Sequence, residues 1–324
     1  MAMRPSEFTL IARFFAPLAT APGAFGLTDD VASVPPRVGH ELVVTTDALV
    51  EGVHFFPDDP PVSVAKKALR TNLSDLAAKG AEPAGYLLAL SLPEHIDVPW
   101  LEGFARGLGE DQEKFGVTLL GGDTTATPGP LTLAITALGH VPAGTLIRRA
   151  GATAGESVFV SGTIGDAGGG LALLKGEGAH LRGCEAGRLI EHYRLPTPRL
   201  TLGQALRGVA SAALDVSDGL IADLAHIAEV SRVRIVVEAE RIPRSPEIRA
   251  LWFAMPEAIV RAATAGDDYE IAFTTASERK AAEAAQRSGT AIARIGRVEA
   301  GSGVALLDTD GREIAVPRPG FTHF

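Results

Sequence analysis

Leu42-Val43-Val44-Thr45-Thr46-Asp47 is a run of aliphatic and β-branched residues that closes on a carboxylate. Such a run favours an extended chain. Downstream, residues 64–79 place Ala65, Ala68, Leu69, Leu73, Leu76 and Ala77 at i, i+3, i+4 spacing, and Gly80 follows as a C-terminal cap. A strand followed by an amphipathic helix predicts an α/β or α+β fold. The alternation recurs outward from this pair. Residues 100–115 read as a helix, 117–120 as a short strand ending at Gly121-Gly122, and 131–139 as a further strand. Pro142, Gly144, Gly151 and Gly155 cluster over 141–155 and mark a hinge. The expected domains are therefore 1–148 and 149–324. In the second, 156–161, 233–237 and 271–273 read as strands. Another strand leads into Asp215, a helix follows Asp218, and 277–288 read as a helix.

The chain has 324 residues, enough for two cores. Its net charge of −9 argues against a nucleic-acid binder, which normally shows a basic face. Anionic ligands therefore need local help from cations or backbone N–H groups. The single cysteine, Cys184, forms no internal disulfide and belongs to no Cys/His metal spacing, which fits a reducing, cytoplasmic setting. No apolar run approaches the roughly 18–20 residues that span a bilayer. Arg4, Glu7 and Arg13 interrupt the N-terminal stretch, so it reads as an amphipathic helix opening at Pro5-Ser6.

The chemistry lies in where the aspartates fall. Asp30 closes Gly26-Leu27-Thr28-Asp29-Asp30, and Asp47 closes the first strand. Asp75 lies in helical Asn72-Leu73-Ser74-Asp75. Asp123 follows a strand in Gly121-Gly122-Asp123-Thr124-Thr125. Asp215 and Asp218 frame Asp215-Val216-Ser217-Asp218-Gly219. Carboxyl ends of strands are where open α/β sheets bind ligands, and hard oxygen donors suit Mg²⁺. Two carboxylates about 5 Å apart repel by roughly 3 kcal/mol at an effective dielectric of 20, so convergence implies bound cations or raised pKa values. Each motif alone also reads as a turn former or helix cap, and Asp75 also has Lys79 at i+4.

Other features stay open between two readings. The glycine-rich stretch from Ser161 to Gly170 is a phosphate cradle or a tight strand-to-helix connection. Arg148 and Arg149 clamp a phosphate or are solvated. His54 binds a ligand or is structural. Asp267-Asp268-Tyr269-Glu270 faces a cationic ring or only solvent. Neither a Gly-x-x-x-x-Gly-Lys-Ser/Thr loop nor a Gly-x-Gly-x-x-Gly fingerprint occurs.

In order, these segments resemble the thiamine-monophosphate kinase family. The motifs are Gly26 to Asp30, Thr46-Asp47 with Gly52-Val53-His54-Phe55, Asn72 to Ala78, and Gly121 to Thr125. They continue with Ser161 to Asp166, Asp215 to Leu220, Gly266 to Glu270 and the closing Gly320-Phe321-Thr322-His323-Phe324. The resemblance implies transfer of the ATP γ-phosphoryl to thiamine monophosphate. It implies Mg²⁺ at Asp30, Thr45, Thr46, Asp47, Asp75, Asp123, Asp215 and Asp218, with Asp47, Asp75 and Asp123 assisting transfer. It implies ATP at Phe115, Gly122, Asp123, Arg149 and Ser217, and thiamine at His54, Asp267 and Phe321. It also implies a homodimer whose N-terminal α/β domain pairs across the dimer, with a C-terminal α/β domain. Two positions depart from the family, Thr28 for Gly and Asp267 for Glu. The alternatives are another ATP-using member of the aminoimidazole ribonucleotide synthetase-like superfamily, or a non-catalytic nucleotide- or metal-binding protein.

Overall fold

The computed structural model describes residues 5–178, 180–253, 255 and 257–322; His323 and Phe324 of the closing motif lie outside them. The chain forms two compact units, one ending at Gly144 and the other taking Thr145 onward together with Ala77–Gly80.

The first unit opens with a helical turn, α1 (Glu7–Leu10), which passes into a π-helical turn at Ile11–Phe15. Then come β1 (His40–Val50), α2 (Pro61–Ala78), β2 (Glu82–Leu92), α3 (Val98–Phe115), β3 (Leu119–Ala126) and β4 (Thr132–Pro142). The sheet order is β1-β4-β2-β3, antiparallel except for the parallel β2/β3 pair. Strand alternation turns Tyr86, Leu88, Leu90, Leu133 and Ile135 toward Leu69, Leu73, Leu101, Phe104 and Leu108, and these residues form one buried core. Asp97 caps α3 by accepting the Trp100 N–H at 2.9 Å, and Gly116 ends it at φ 68°. Two expectations need correction. β1 runs on past Asp47 to Val50 because its ladder with β4 continues to the Val50–Thr132 pair. β3 likewise continues through Asp123, paired with Ala89 of β2. Both carboxylates sit inside long strands, not beyond their ends.

The second unit contains β5 (Ser157–Ser161), α4 (Asp166–Leu174), α5 (Gly183–Arg194), α6 (Leu200–Ala205), β6 (Ala212–Asp215), α7 (Leu220–Ser231) and β7 (Arg234–Glu238). It ends with α8 (Pro246–Leu251), α9 (Ala258–Thr264), β8 (Ile271–Thr275), α10 (Glu278–Ser288), β9 (Ile292–Glu299) and β10 (Gly303–Leu307). Its mixed sheet has the order β10-β7-β9-β5-β8-β6. β5 and β8 are buried along their whole length, as central strands covered on both faces must be, and β6 is buried too although it forms the sheet edge. Each unit is an α/β domain. No helix among the described residues is long and apolar enough to cross a membrane.

Candidate functional site

In the first domain, alternation along β1 separates the two threonines. Thr45 faces α2, where its hydroxyl donates to the half-buried Asp75 carboxylate. Thr46 faces the other way. Its hydroxyl accepts from Thr136 at 3.1 Å and donates to the Ile135 carbonyl at 3.1 Å. Asp47 shares the Thr45 side by strand periodicity. Lys79, the other reading for Asp75, donates its ammonium to the Ala213 carbonyl at 2.8 Å.

A cavity of about 750 Å³ lies against the same sheet. Asp29, Asp30, Gly122, Asp123 and Thr136 line it, with Phe15 and Leu27 among its apolar walls. Gly122 allows this geometry, because a Cβ there would fall 1.8 Å from the Leu88 carbonyl oxygen of the paired strand. The structure thus brings Asp30, Gly122 and Asp123 together, and separately Thr45 and Asp75. Strand order places β1 and β3 at opposite edges. Asp47 and Asp123 sit at nearly the same level, three strand spacings apart, about 14 Å at ordinary spacing.

Phe115 ends α3 outside that cavity. Its ring lies against the Arg70 guanidinium, 5.6 Å from the ring centre, and the Lys114 ammonium, at 5.1 Å. Arg70 is itself held in a buried bidentate pair with Asp111, at 2.6 and 2.8 Å. His54 has a local structural bond. Its Nδ1 accepts the Val50 N–H at 3.0 Å, and its carbonyl accepts Lys67 at 2.9 Å. Thr28 has φ −105°, a backbone that needs no glycine. The left-handed residues just before it are Phe25, Gly26 and Leu27.

In the second domain the Asp215–Gly219 loop is clamped from three sides. Asp267 N–H donates to the Ser217 carbonyl and Tyr269 N–H to that of Val216, both at 2.8 Å. Phe321 N–H donates to the Asp218 carbonyl at 2.9 Å. The Asp223 carboxylate accepts the Asp218 and Gly219 N–H groups at 3.0 and 3.1 Å. Ser217, Asp218, Asp267 and Phe321 are therefore neighbours. Asp267 holds φ +70°, a left-handed conformation that short polar side chains tolerate. Its carboxylate accepts the Tyr269 hydroxyl at 3.3 Å. The Asp for Glu departure thus suits the backbone at this position.

Sequence reasoning missed Asp223 and His226. With Asp218 they are the one group of three or more His, Cys, Asp or Glu among the described residues whose ligand atoms lie within 4.8 Å of one another. Burial first, and the Asp218 charge second, push the Asp223 carboxyl up to about 7 against the pull of backbone N–H groups. The available signal was spacing: Asp223 and His226 stand at i, i+3 on α7, one turn beyond Asp218.

The glycine-rich stretch after β5 is not an open anion cradle. Asp268 already accepts the Gly165 N–H at 2.7 Å and the Ala167 N–H at 3.2 Å at the start of α4. Arg148 and Arg149 are exposed, and among the described residues neither pairs with a carboxylate. The Arg148 carbonyl accepts the Ala213 N–H at 2.9 Å, which anchors this cationic pair beside β6.

Known proteins show the same organisation. Residues 28–141 match the family model "AIR synthase related protein, N-terminal domain", and 153–308 match the corresponding C-terminal domain. The thiamine-monophosphate kinase of Caulobacter vibrioides is 45% identical over 98% of this chain and 91% of its own. The crystal structure of thiamine-monophosphate kinase from Stenotrophomonas maltophilia K279a is 41% identical, with a TM-score of 0.84 over 96% of this chain and 99% of that one. The structure described as AaThiL complexed with AMPPCP and TMP is 32% identical, with a TM-score of 0.78 over 93% of this chain and 97% of that one. With similarity running end to end through both domains, the chain belongs to the thiamine-monophosphate kinase family of AIR synthase-related proteins.

Proposed function

We propose that this chain is a thiamine-phosphate kinase that transfers the γ-phosphoryl of ATP to thiamine monophosphate, giving thiamine diphosphate, with Mg²⁺ assisting a direct in-line transfer. The observation that carries the reading is the full-length likeness to a kinase structure holding AMPPCP and TMP, joined to a cavity that presents Asp30, Gly122 and Asp123 together.

The donor set fits Mg²⁺. Asp30, Thr45, Thr46, Asp47, Asp75 and Asp123 in the first domain, and Asp215 and Asp218 in the second, offer only hard oxygen ligands. Their spread along the sheet fits as well, because Mg²⁺ is usually held by one or two carboxylates plus substrate phosphates and water. When bound, it supplies the neutralisation that lets two polyanions approach. Arg149 and the Gly122 backbone position the ATP phosphates, with Ser217 a further contact. The apolar wall of the cavity, with Phe15, seats the base, and Phe115, whose ring lies outside that cavity, is the further candidate for contact with adenine. His54, Asp267 and Phe321 orient thiamine. The acceptor is a phosphate oxygen, largely ionised at neutral pH because its second pKa is near 6, so no general base is needed. Positioning and electrostatics then carry the reaction.

The enzyme works in the cytoplasm as a homodimer, paired through the first sheet. The test is product formation with ATP, Mg²⁺ and thiamine monophosphate, run beside unphosphorylated thiamine. Asp47→Asn and Asp123→Asn each lower kcat by about 100-fold or more while circular dichroism stays unchanged, the scale of losing one charge-stabilising group. Near-parental kcat in both at saturating Mg²⁺ would reject the assignment.

A further inference from the structure

The second domain holds a smaller cavity of about 230 Å³, lined by Arg244, Ile248, Arg249, Trp252, Phe253 and Met255. It shares no residue with the candidate site above. Its polar lining is cationic. Arg249 Nε donates to the Arg244 carbonyl at 3.2 Å, which brings the two arginines together. Of the nearby acids, Glu247 pairs with Arg188 and Glu238 with Arg241, while Glu240, which acts on Arg244, is exposed and lines no part of the cavity. Burial first and the Arg249 charge second weaken Arg244's hold on its proton, and Glu240 offsets them least. The Arg244 Nε is buried and has no hydrogen-bond partner among the described residues. Buried donors are normally satisfied, and an exception calls for a partner the protein itself does not supply.

The cavity's other wall is aromatic. Trp252 is buried, with the Arg261 guanidinium 4.8 Å from its ring centre, and Arg261 is neutralised by Glu177. Phe253 is 83% exposed at the same cavity, an apolar surface with nothing over it among the described residues. We propose that Arg244 and Arg249 form a second anion site, which takes the dianionic head of a phosphate monoester with its apolar portion against Phe253. Two guanidinium forks match the oxygens and the charge of a phosphate better than those of a carboxylate. The cavity is smaller than the roughly 300 Å³ at which pockets for whole drug-sized ligands begin. It therefore holds the head group, and the remainder of the ligand lies at the mouth.

Trp252 reports on this cavity, since Trp100 is the only other tryptophan in the chain. In the full-length Trp100→Phe chain, with EDTA present so that no divalent ion recruits phosphate to the carboxylate-rich site, phenyl phosphate is titrated against fluorescence excited at 295 nm. Inorganic phosphate and benzoate form the comparison arms. The expected result is a saturable change with phenyl phosphate, weaker binding of inorganic phosphate, and none of benzoate. Arg244→Gln and Arg249→Gln each weaken phenyl phosphate at least tenfold, and Arg279→Gln on α10 leaves it unchanged. No saturable change, or equal affinity in the Arg244→Gln and parent chains, overturns the site. Benzoate binding as tightly as phenyl phosphate overturns the phosphate assignment.

Discussion

Asp268 illustrates how a single side chain settles the meaning of a motif. Its carboxylate turns inward and takes the two N–H groups at the start of α4 that a phosphate would otherwise use. Burial, and secondarily the charges of Asp166 and Glu270, raise its pKa well above the usual carboxylate value of 3.8, although the two N–H bonds act against the shift. The folded protein therefore keeps this proton through a pH range in which the unfolded chain releases it. Stability from this group is greatest below about pH 3.8, falls as pH rises toward the raised native value, and is level above it. Asp268→Asn keeps one acceptor and removes the titration. Thermal melts from pH 4 upward should show a shallower decline in Tm for the variant than for the parent. Parallel profiles would mean that Asp268 ionises in the fold as freely as in the unfolded chain.

Between elements, Glu270 ties the chain before β8 to β5 and α6. It accepts the Ser161 hydroxyl and both a 2.7 Å bond from Arg199 Nε and a second from the same guanidinium. The Ser161 hydroxyl oxygen in turn accepts the Ile271 N–H at 2.9 Å. Gly162, at φ +56°, must lack a side chain because a Cβ would sit 2.0 Å from Glu270 Oε1. Glu270 is buried, so removing Arg199 strands a charge. Arg199→Met should lower the unfolding free energy by about 3 kcal/mol, read by urea denaturation. Adding Glu270→Gln should recover most of that loss because no lone charge remains. A single variant within about 0.5 kcal/mol of the parent would mean solvent already screens the pair.

The elements themselves were largely legible where one period dominates. The stripe through Leu69, Leu73 and Leu76 and the run around Val43 each admit one structure. Their ends were not, because ladder pairing with β4 carried β1 past Asp47. The glycine-rich stretch was ambiguous for a different reason. Its N–H groups look alike whether they await a ligand or an aspartate a hundred residues away, and only tertiary contact chooses Asp268. Asp223 was hidden because a helical aspartate resembles any solvated one until burial raises its pKa.

For the whole molecule, the decisive feature is the side of the first sheet that α2 and α3 leave uncovered. A half-covered sheet ordinarily alternates apolar inward with polar outward. Here the outward positions of β1, β2 and β4 include Leu42, Val44, Ala48, Leu87, Ala89, Ala134 and Leu138, with Leu42 52% and Val44 55% exposed. A contiguous apolar surface of this kind marks an association face, and a two-fold pairing of identical sheets is the simplest way to close it. That surface supports the homodimer proposed above. Leu42 and Val44 do not line the 750 Å³ cavity, whereas Leu87, Ala89, Ala134 and Thr136 of the same face do. Pairing would therefore border that cavity without Leu42 or Val44 touching it. Leu42→Asp with Val44→Asp places like charges on both copies at the pairing face. Sedimentation should shift from a dimer to a 33.7 kDa monomer, and KM for ATP should rise at least tenfold while circular dichroism is retained. A parent chain that sediments as a monomer at micromolar concentration would remove the dimer from this account and leave the uncovered apolar face to another partner.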